Sequence, residues 1–430
     1  MALNFIYLAT LIAAAPFLLY RSIRYKKYRE GWREKLFGLV PNLPAPRAGV
    51  KRIWFHAVSV GEVNLVKTLV AELDASGRKW EFVVSSTSKT GYALATRLFA
   101  ERAPVFYCPL DFTWSVKRAL RRIQPDMLAL VELELWPNLI KHARRSGARV
   151  VIVNGRVADG SFLWYRRVKK YFARVFASVD LVVAQDDLAA SRFRELVQDD
   201  RRVIVSGSLK FDGAQTDRNN AATNKLARLA GLDDSDLVFL CGSSQAPEEE
   251  AALDVYRSLC AEFPNLRLII VPRHPERFEE VARLLDASEF KWSRRSNLTH
   301  DSTCERILLV DVVGELAAWW GTAQIAFVGG SWGARGGQNM LEPAGYGAAI
   351  SFGPNTQNFR SIVEALLRAR AAVVVANVDE MREFVKKCLE NPEFRRALGR
   401  AARELVLSNQ GATKRTIAAL ESTFQNDTVV

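Results

Sequence analysis

The sequence predicts an α/β protein of two Rossmann-like domains facing a cleft, preceded by an apolar helix. Three observations predict it. Short apolar runs alternate with amphipathic ones from residue 53 onward. A polar stretch without period, FDGAQTDRNNAATN (211–224), divides that alternation into two halves of similar size. The 430 residues also exceed what a single core accommodates, about 250–300. Continuous apolar strands separated by helices imply parallel sheets covered on both faces.

The elements follow in order. Residues 3–20, LNFIYLATLIAAAPFLLY, carry no charge. At about 1.5 Å per residue they span roughly 27 Å, near the bilayer core of about 30 Å. Arg21, Arg24, Lys26, Lys27, Arg29, Arg33 and Lys35 follow, opposed only by Glu30 and Glu34. Basic residues stay on the cytoplasmic side, which predicts an anchor with the body in the cytoplasm. A cleaved signal peptide would carry its charge before the apolar run. Pro16 and the short run leave open a helix lying in the interface or in a soluble core. Tyr20, Tyr25, Tyr28 and Trp32 suit a headgroup layer.

In the first half, strands are predicted at 53–60, 81–87, 104–110, 127–135, 148–155, 180–185 and 202–207. Helices are predicted at 61–76, at TWSVKRALRRIQ (113–124) and at FLWYRRVKKYFARVFAS (162–178). In the second half the strands are 237–243, 267–273, 306–312, 325–331, 348–353 and 372–377, with a charged helical tail from Met381 to about Phe424. The chain thus divides into anchor 1–20, basic juxtamembrane segment 21–50, N-terminal domain 51–210, linker 211–224 and C-terminal domain 225–430 with its tail.

Composition removes several classes of function. At 49% hydrophobic the chain is not disordered. Five cysteines, odd in number and without CxxC spacing, argue against a disulfide framework or a zinc site and favour a reducing compartment. The net charge of +13 suits nucleic acid, an anionic membrane or an anionic substrate. No nucleic-acid motif accompanies it, and the densest basic stretch adjoins the anchor, so a nucleic-acid partner is not expected.

Ligands of open α/β sheets bind at the C-terminal ends of the strands, and six motifs lie there. In HAVSVGE (56–62) a strand runs into Gly61 and Glu62 opens a helix. Glu62 is either a residue interacting with the helix dipole or a general base. In VELELWPN (131–138) Glu132 and Glu134, two apart at a strand end, should share a face, and two unpaired carboxylates there are costly to bury. GSLKFD (207–212) brings Lys210 to the end of the last N-domain strand, where it could neutralise a leaving phosphate. VPRHPERF (271–278) joins the Arg273 guanidinium to a helix start, a plausible phosphate seat. VGELAAWW (313–320) sets Gly314 before a helix with Glu315 in its first turn. The most informative is FVGGSWGARGGQNMLEPAGYG (327–347). Its glycines let backbone approach a ligand closely, a helix start at Asn339 offers donors, and Glu342 could accept from ribose hydroxyls.

Together these motifs, in this order and with FGPNTQNF (352–359), resemble the 3-deoxy-D-manno-octulosonic acid (Kdo) transferase family of lipopolysaccharide assembly. The resemblance runs from the anchor to NQGA (409–412). It implies a GT-B-type glycosyltransferase at the cell inner membrane, moving Kdo from CMP-Kdo to the lipid A precursor (lipid IVA), a tetraacylated phosphorylated disaccharide. By the same resemblance Glu62 is the general base, and Glu132 and Lys210 stabilise the transition state. Pro272 and Arg273, Gly314, Glu315 and Leu316, and Asn339, Met340, Leu341 and Glu342 bind CMP. The N-terminal domain is then the acceptor side and the C-terminal domain the CMP-sugar side. Two departures are visible: Gln338 stands where many members carry His, and AAISFGP replaces a more usual apolar-Pro run.

The chemistry is consistent with those residue types. As the donor's anomeric carbon gains oxocarbenium character, the leaving CMP gains negative charge, which Arg, Lys and helix N-termini can stabilise. No DxD pair stands at a strand end, so metal-independent transfer without a cofactor is expected, with inversion at the anomeric carbon. The alternative is another GT-B transferase joining a nucleotide sugar to a lipid acceptor. The charge of the 21–35 flank is expected to meet anionic membrane lipids.

Overall fold

A computed structural model describes residues 2–25, 29–77, 79–299 and 302–425. Lys26, Lys27 and Tyr28 of the basic flank lie outside the described residues. The chain forms two compact units, Met1–Gly213 with Gln410–Val430, and Ala214–Asn409.

The first unit holds a parallel sheet of β1 (Lys51–His56), β2 (Trp80–Ser86), β3 (Val105–Tyr107), β4 (Met127–Val131), β5 (Arg149–Gly155), β6 (Leu181–Ala184) and β7 (Val203–Val205), in the order β3-β2-β1-β4-β5-β6-β7. Alternate side chains enter two separate cores. Trp54, Leu128, Leu130 and Ile152 lie on one face, and Ile53, Phe55, Ala129 and Val151 on the other. That double burial is why the strands read as unbroken apolar runs. Each fully buried Leu, Ile or Phe adds about 1.5–3 kcal/mol of transfer free energy. The sheet order reverses between β1 and β4, and the loops leaving the C-terminal ends of such a pair form the usual ligand crevice.

The second unit repeats the plan with β8 (Leu237–Ser244), β9 (Leu266–Pro272), β10 (Trp292–Arg294), β11 (Ile307–Leu309), β12 (Ile325–Val328), β13 (Ala349–Phe352) and β14 (Ala372–Val374), in the order β10-β11-β9-β8-β12-β13-β14. Here the reversal falls between β8 and β12. The sequence shows six of these strands. The seventh, β10, is a half-buried edge strand of three residues, Trp-Ser-Arg, with no apolar run to reveal it.

Several boundaries differ from expectation. The 162–178 helix is two helices, Asp159–Arg167 and Lys169–Phe176. The 211–224 linker is partly helical, overlapping Leu209–Asp212 and Ala221–Leu229. The helical tail, expected whole in the second domain, divides. Pro392–Asn409 stays with the second unit, and Ala412–Gln425 returns to the first. Ala412, Ile417 and Leu420 are buried there in the core with Leu69 and Leu73. Asp212 accepts the Gly411 N–H at 2.6 Å and receives the Thr413 N–H and hydroxyl. An amphipathic pattern declares a helix but not which core its apolar stripe enters.

The N-terminal helix runs Ala2–Tyr25, and its Leu3–Tyr25 stretch is apolar and long enough to cross a membrane. Its first turns nevertheless rest on the first unit. Thr113 donates its N–H to Asn4 Oδ1 at 3.1 Å, and Tyr7 donates its hydroxyl to Asp111 Oδ2 at 2.9 Å. The rings of Tyr7 and Phe112 meet edge-on, 6.0 Å apart. Phe5, Ile6, Ile12, Leu19 and Ile23 stay exposed. Part of the flank's charge is used internally. Lys35 sits over the Tyr107 ring at 4.0 Å, and Glu30 pairs with Lys89 at 2.6 Å.

Candidate functional site

In the first unit the site grows from the loop after β1. Ser59 is the N-cap of helix Val60–Ala75, and its hydroxyl accepts the Glu62 N–H at 3.3 Å. Glu62 reaches back, taking the Ser59 hydroxyl on Oε1 at 2.7 Å and the Val58 N–H on Oε2 at 2.8 Å. This reciprocal pattern is a capping box of the S-x-x-E type. It holds the carboxylate in one place at the mouth of the sheet. Burial pushes the Glu62 carboxyl above its ordinary range, its cap hydrogen bonds oppose that, and the Glu132 charge adds to it.

Glu132 leaves the end of β4 in the left-handed region, φ 60°. The strand ends at Val131, so the two-residue parity expected of Glu132 and Glu134 does not govern them. Both still lie close enough to Glu62 for their charges to act on one another. Lys210 Nζ lies 3.3 Å from Glu132 Oε1, so motifs 78 residues apart (210 less 132) meet. Glu134 accepts the Trp136 indole N–H at 3.0 Å. Burial, with the Glu62 and Glu132 charges adding to it, pushes Glu134 up to about 7 against that hydrogen bond. His56 is fully buried, with Nδ1 3.0 Å from Ser85 Oγ, and burial holds its pKa down to about 4. It therefore belongs to the core as a neutral ring.

In the second unit β9 ends in Pro272, and the Arg273 N–H donates to Ser244 O at 3.0 Å. The Arg273 guanidinium charge acts on Glu342, whose Oε1 accepts from Asn339 Nδ2 at 3.1 Å. Burial raises the Glu342 pKa, opposed by those two partners. The 272–273 and 339–342 segments thus converge. The helix expected from Asn339 begins at Leu341 and has five residues, and Asn339 Oδ1 already takes the Leu341 N–H at 3.2 Å. Gly314 adopts φ 98° before the four-residue helix Leu316–Trp319, for which Glu315 is the N-cap residue. Both Glu315 carboxylate oxygens are taken by Arg295, at 2.8 and 2.6 Å.

The glycine-rich segment departs most from expectation. Three of its N–H groups, those of Gly330, Ser331 and Trp332, donate to Glu248. That carboxylate, 1% exposed, accepts Gln245 N and Gly330 N on Oε2 (2.9 and 2.7 Å) and Ser331 N and Trp332 N on Oε1 (2.9 and 3.1 Å). An internal carboxylate so occupies the N–H groups of Gly330, Ser331 and Trp332, ahead of the Asn339 start where donors to a ligand are expected. FGPNTQNF closes over the same loop. Gly353 N donates to Ser331 Oγ at 2.8 Å, and a Cβ on Gly353 would lie 2.3 Å from the Trp332 ring. In sequence Glu248 is one of three successive glutamates at a helix start, with nothing to single it out. Among the described residues no group of three or more His, Cys, Asp or Glu is arranged to hold a metal ion.

Comparisons with known proteins bear on the family and the fold. Residues 30–213 match a family model described as 3-deoxy-D-manno-octulosonic-acid transferase (kdotransferase). A 3-deoxy-D-manno-octulosonic acid transferase of Haemophilus influenzae is 31% identical over 424 residues, covering 97% of this chain and 98% of that protein. One from Bordetella pertussis is 30% identical over 387 residues, covering 88% of each. Among solved structures, a glycosyltransferase of Rickettsia africae aligns with TM-score 0.56 and 12% identity, over 87% of this chain and 100% of that one. The UDP-GlcNAc 2-epimerase of Neisseria meningitidis gives the same four values. Those two likenesses establish the GT-B-like α/β architecture.

Proposed function

The chain belongs to the Kdo transferase family of glycosyltransferases, and from that premise we propose that it moves Kdo from CMP-Kdo to a hydroxyl of the lipid A precursor, lipid IVA. The acceptor oxygen attacks the anomeric carbon of Kdo on the face opposite CMP. The bond from that carbon to the phosphate oxygen breaks, and CMP leaves with the electron pair. Glu62 takes the hydroxyl proton, and the displacement inverts the anomeric configuration.

The observation that carries this reading is the placement of Glu62 beside the Lys210–Glu132 pair at the reversal point of the first sheet. A carboxylate raised by burial is a stronger base than an exposed one, which suits a general base near neutral pH. Lys210, oriented by Glu132, counters negative charge developing as the leaving bond breaks. In the second unit, Pro272 and Arg273, Gly314 to Leu316 and Asn339 to Glu342 hold CMP. Arg273 meets the phosphate and Glu342 the ribose, while Glu315 serves through its backbone because its carboxylate is committed to Arg295. Lys and Arg supply the positive charge that a divalent ion would otherwise bring, so the step is metal-independent.

The N-terminal helix associates with the inner membrane, with the body on the cytoplasmic side. The contacts of Asn4 and Tyr7 with the first unit favour a helix lying along the bilayer surface. A spanning helix with the body on its C-terminal side would carry those residues about 30 Å away. Its exposed apolar face and Arg21 and Arg24 suit anionic lipid.

An assay of nucleotide release tests the donor. With lipid IVA as acceptor, release of CMP from CMP-Kdo supports the reading. Turnover of a UDP-sugar with CMP-Kdo untouched refutes it in favour of another nucleotide-sugar transferase.

A further inference from the structure

The Lys210–Glu132 pair is assembled by two loops, fastened to adjacent residues at the end of β5. Glu132 donates its backbone N–H to the Val153 carbonyl at 2.9 Å. The next residue, Asn154, takes the Leu209 N–H on its side-chain Oδ1 at 3.0 Å. Leu209 opens the single helical turn Leu209–Asp212 that carries Lys210. The other cap of that turn, from the Lys210 N–H to Ser208 Oγ, is long at 3.5 Å. Asn154 therefore provides the shorter hydrogen bond at the start of the lysine's turn.

Three features of Asn154 fit a dedicated role. Its backbone is left-handed, φ 53°, where Asn is tolerated better than most residues. Its side chain is fully buried. The amide must present oxygen to Leu209, because the group facing it is an N–H, and this leaves Nδ2 buried with no hydrogen-bond partner among the described residues. Buried polar atoms are normally satisfied, and exceptions cluster where a residue is held for function. A residue needed only to finish a strand would not require a side-chain acceptor at that point.

We propose that Asn154 is a positioning residue for the transfer reaction, fixing Lys210 against Glu132 through the Leu209 N–H. The proposal rests on the reading of Lys210 as the group that stabilises the transition state. Adjacent attachment points on one strand make the separation of Lys210 and Glu132 a property of β5, independent of how the long loops between them move.

The test is a double-mutant cycle in the full-length enzyme, with CMP-Kdo and lipid IVA as substrates. Asn154→Gly accepts the same backbone angle and removes only the side chain. It is expected to lower kcat about tenfold or more while KM for both substrates stays within about twofold, as for a displaced catalytic group. Asn154→Asp keeps the acceptor and is expected to recover most of the loss. In a Lys210→Met background, Asn154→Gly should add no further loss beyond about twofold. A general structural role would instead lower kcat again in that background and lower the melting temperature in parallel.

Wild-type kcat in Asn154→Gly, or losses that multiply in the double variant, would overturn the positioning role. Wild-type kcat in Lys210→Met alone would overturn the reading of Lys210 on which it rests, and the two failures are read from different arms. Should Asn154→Gly fail to fold, Asn154→Ser takes its place in the cycle.

Discussion

Replacing Glu62 by Gln separates the cap its carboxylate forms from the base proposed for it. As a cap, Glu62 accepts from the Ser59 hydroxyl and the Val58 N–H. Gln keeps a carbonyl oxygen for one of these and serves in a capping box almost as well as Glu. One hydrogen bond is lost, a charge-assisted one of about 1.5–3 kcal/mol. Burial disfavours the ionised carboxylate, and a neutral amide recovers part of that deficit. The net change should be near 1 kcal/mol, or about 2–4 °C in the melting temperature of a unit this size. Against a total stability of about 5–15 kcal/mol, essentially all the protein stays folded.

As a base the loss is far larger. Removing a positioned proton acceptor costs about 10²–10⁴ in rate, or about 3–5 kcal/mol. The assay is kcat by CMP release beside CMP-Kdo affinity by calorimetry and a thermal melt. Glu62→Gln should lose at least about 10²-fold in kcat with donor affinity unchanged. Near-normal kcat with intact CMP-Kdo binding would show that Glu62 is only a cap. A rate loss tracked by unfolding would refute the separation itself.

The other predictions test neighbouring parts of the account. Glu134 is pushed up to about 7, so its contribution to stability is fully present below the ordinary carboxylate range and fades as pH rises through about 7. Glu134→Gln should therefore gain stability over the wild type between pH 5 and 8. The gain should be on the order of 1–2 kcal/mol after allowing for solvent screening, read as a widening difference in melting temperature. Glu248→Gln presents an amide to two pairs of backbone N–H groups, leaving at least one unpaired. It should cost about 1–3 kcal/mol and weaken CMP-Kdo binding, measured by denaturant melts and calorimetry. An epitope tag at the N-terminus should be accessible from the cytoplasmic face in inside-out vesicles, whereas a spanning helix would hide it. EDTA should leave the rate of CMP release unchanged.

Much of the fold is legible in the sequence because strands buried on both faces leave unbroken apolar runs. Trp54 and Phe55 lie in different cores yet sit side by side in the chain. The edge strand Trp292–Arg294 has no such signature, and the return of Ala412–Gln425 to the first unit depends on which core receives Ile417 and Leu420. In the site, strand-end motifs locate Glu62, Glu132 and Lys210, but they do not show that Lys210 meets Glu132. The parity of Glu132 and Glu134 does not account for their nearness to Glu62, because the strand stops one residue earlier. The glycine run reads as backbone that meets a bound ligand. The partner of three of its N–H groups is Glu248, some 80 residues away, and no local pattern connects the two. Asn154 lies within the expected strand 148–155, and nothing in that apolar run tells what its side chain caps.

The most direct measurement is the mass of the acceptor after reaction. Full-length enzyme in its membrane is given CMP-Kdo and lipid IVA, and the lipid is analysed by mass spectrometry while CMP is quantified. The account predicts a lipid heavier by one or more whole Kdo residues, with one CMP released for each, and neither product from Glu62→Gln. An unmodified lipid beside intact CMP-Kdo, or the same product formed by Glu62→Gln at the wild-type rate, would contradict it.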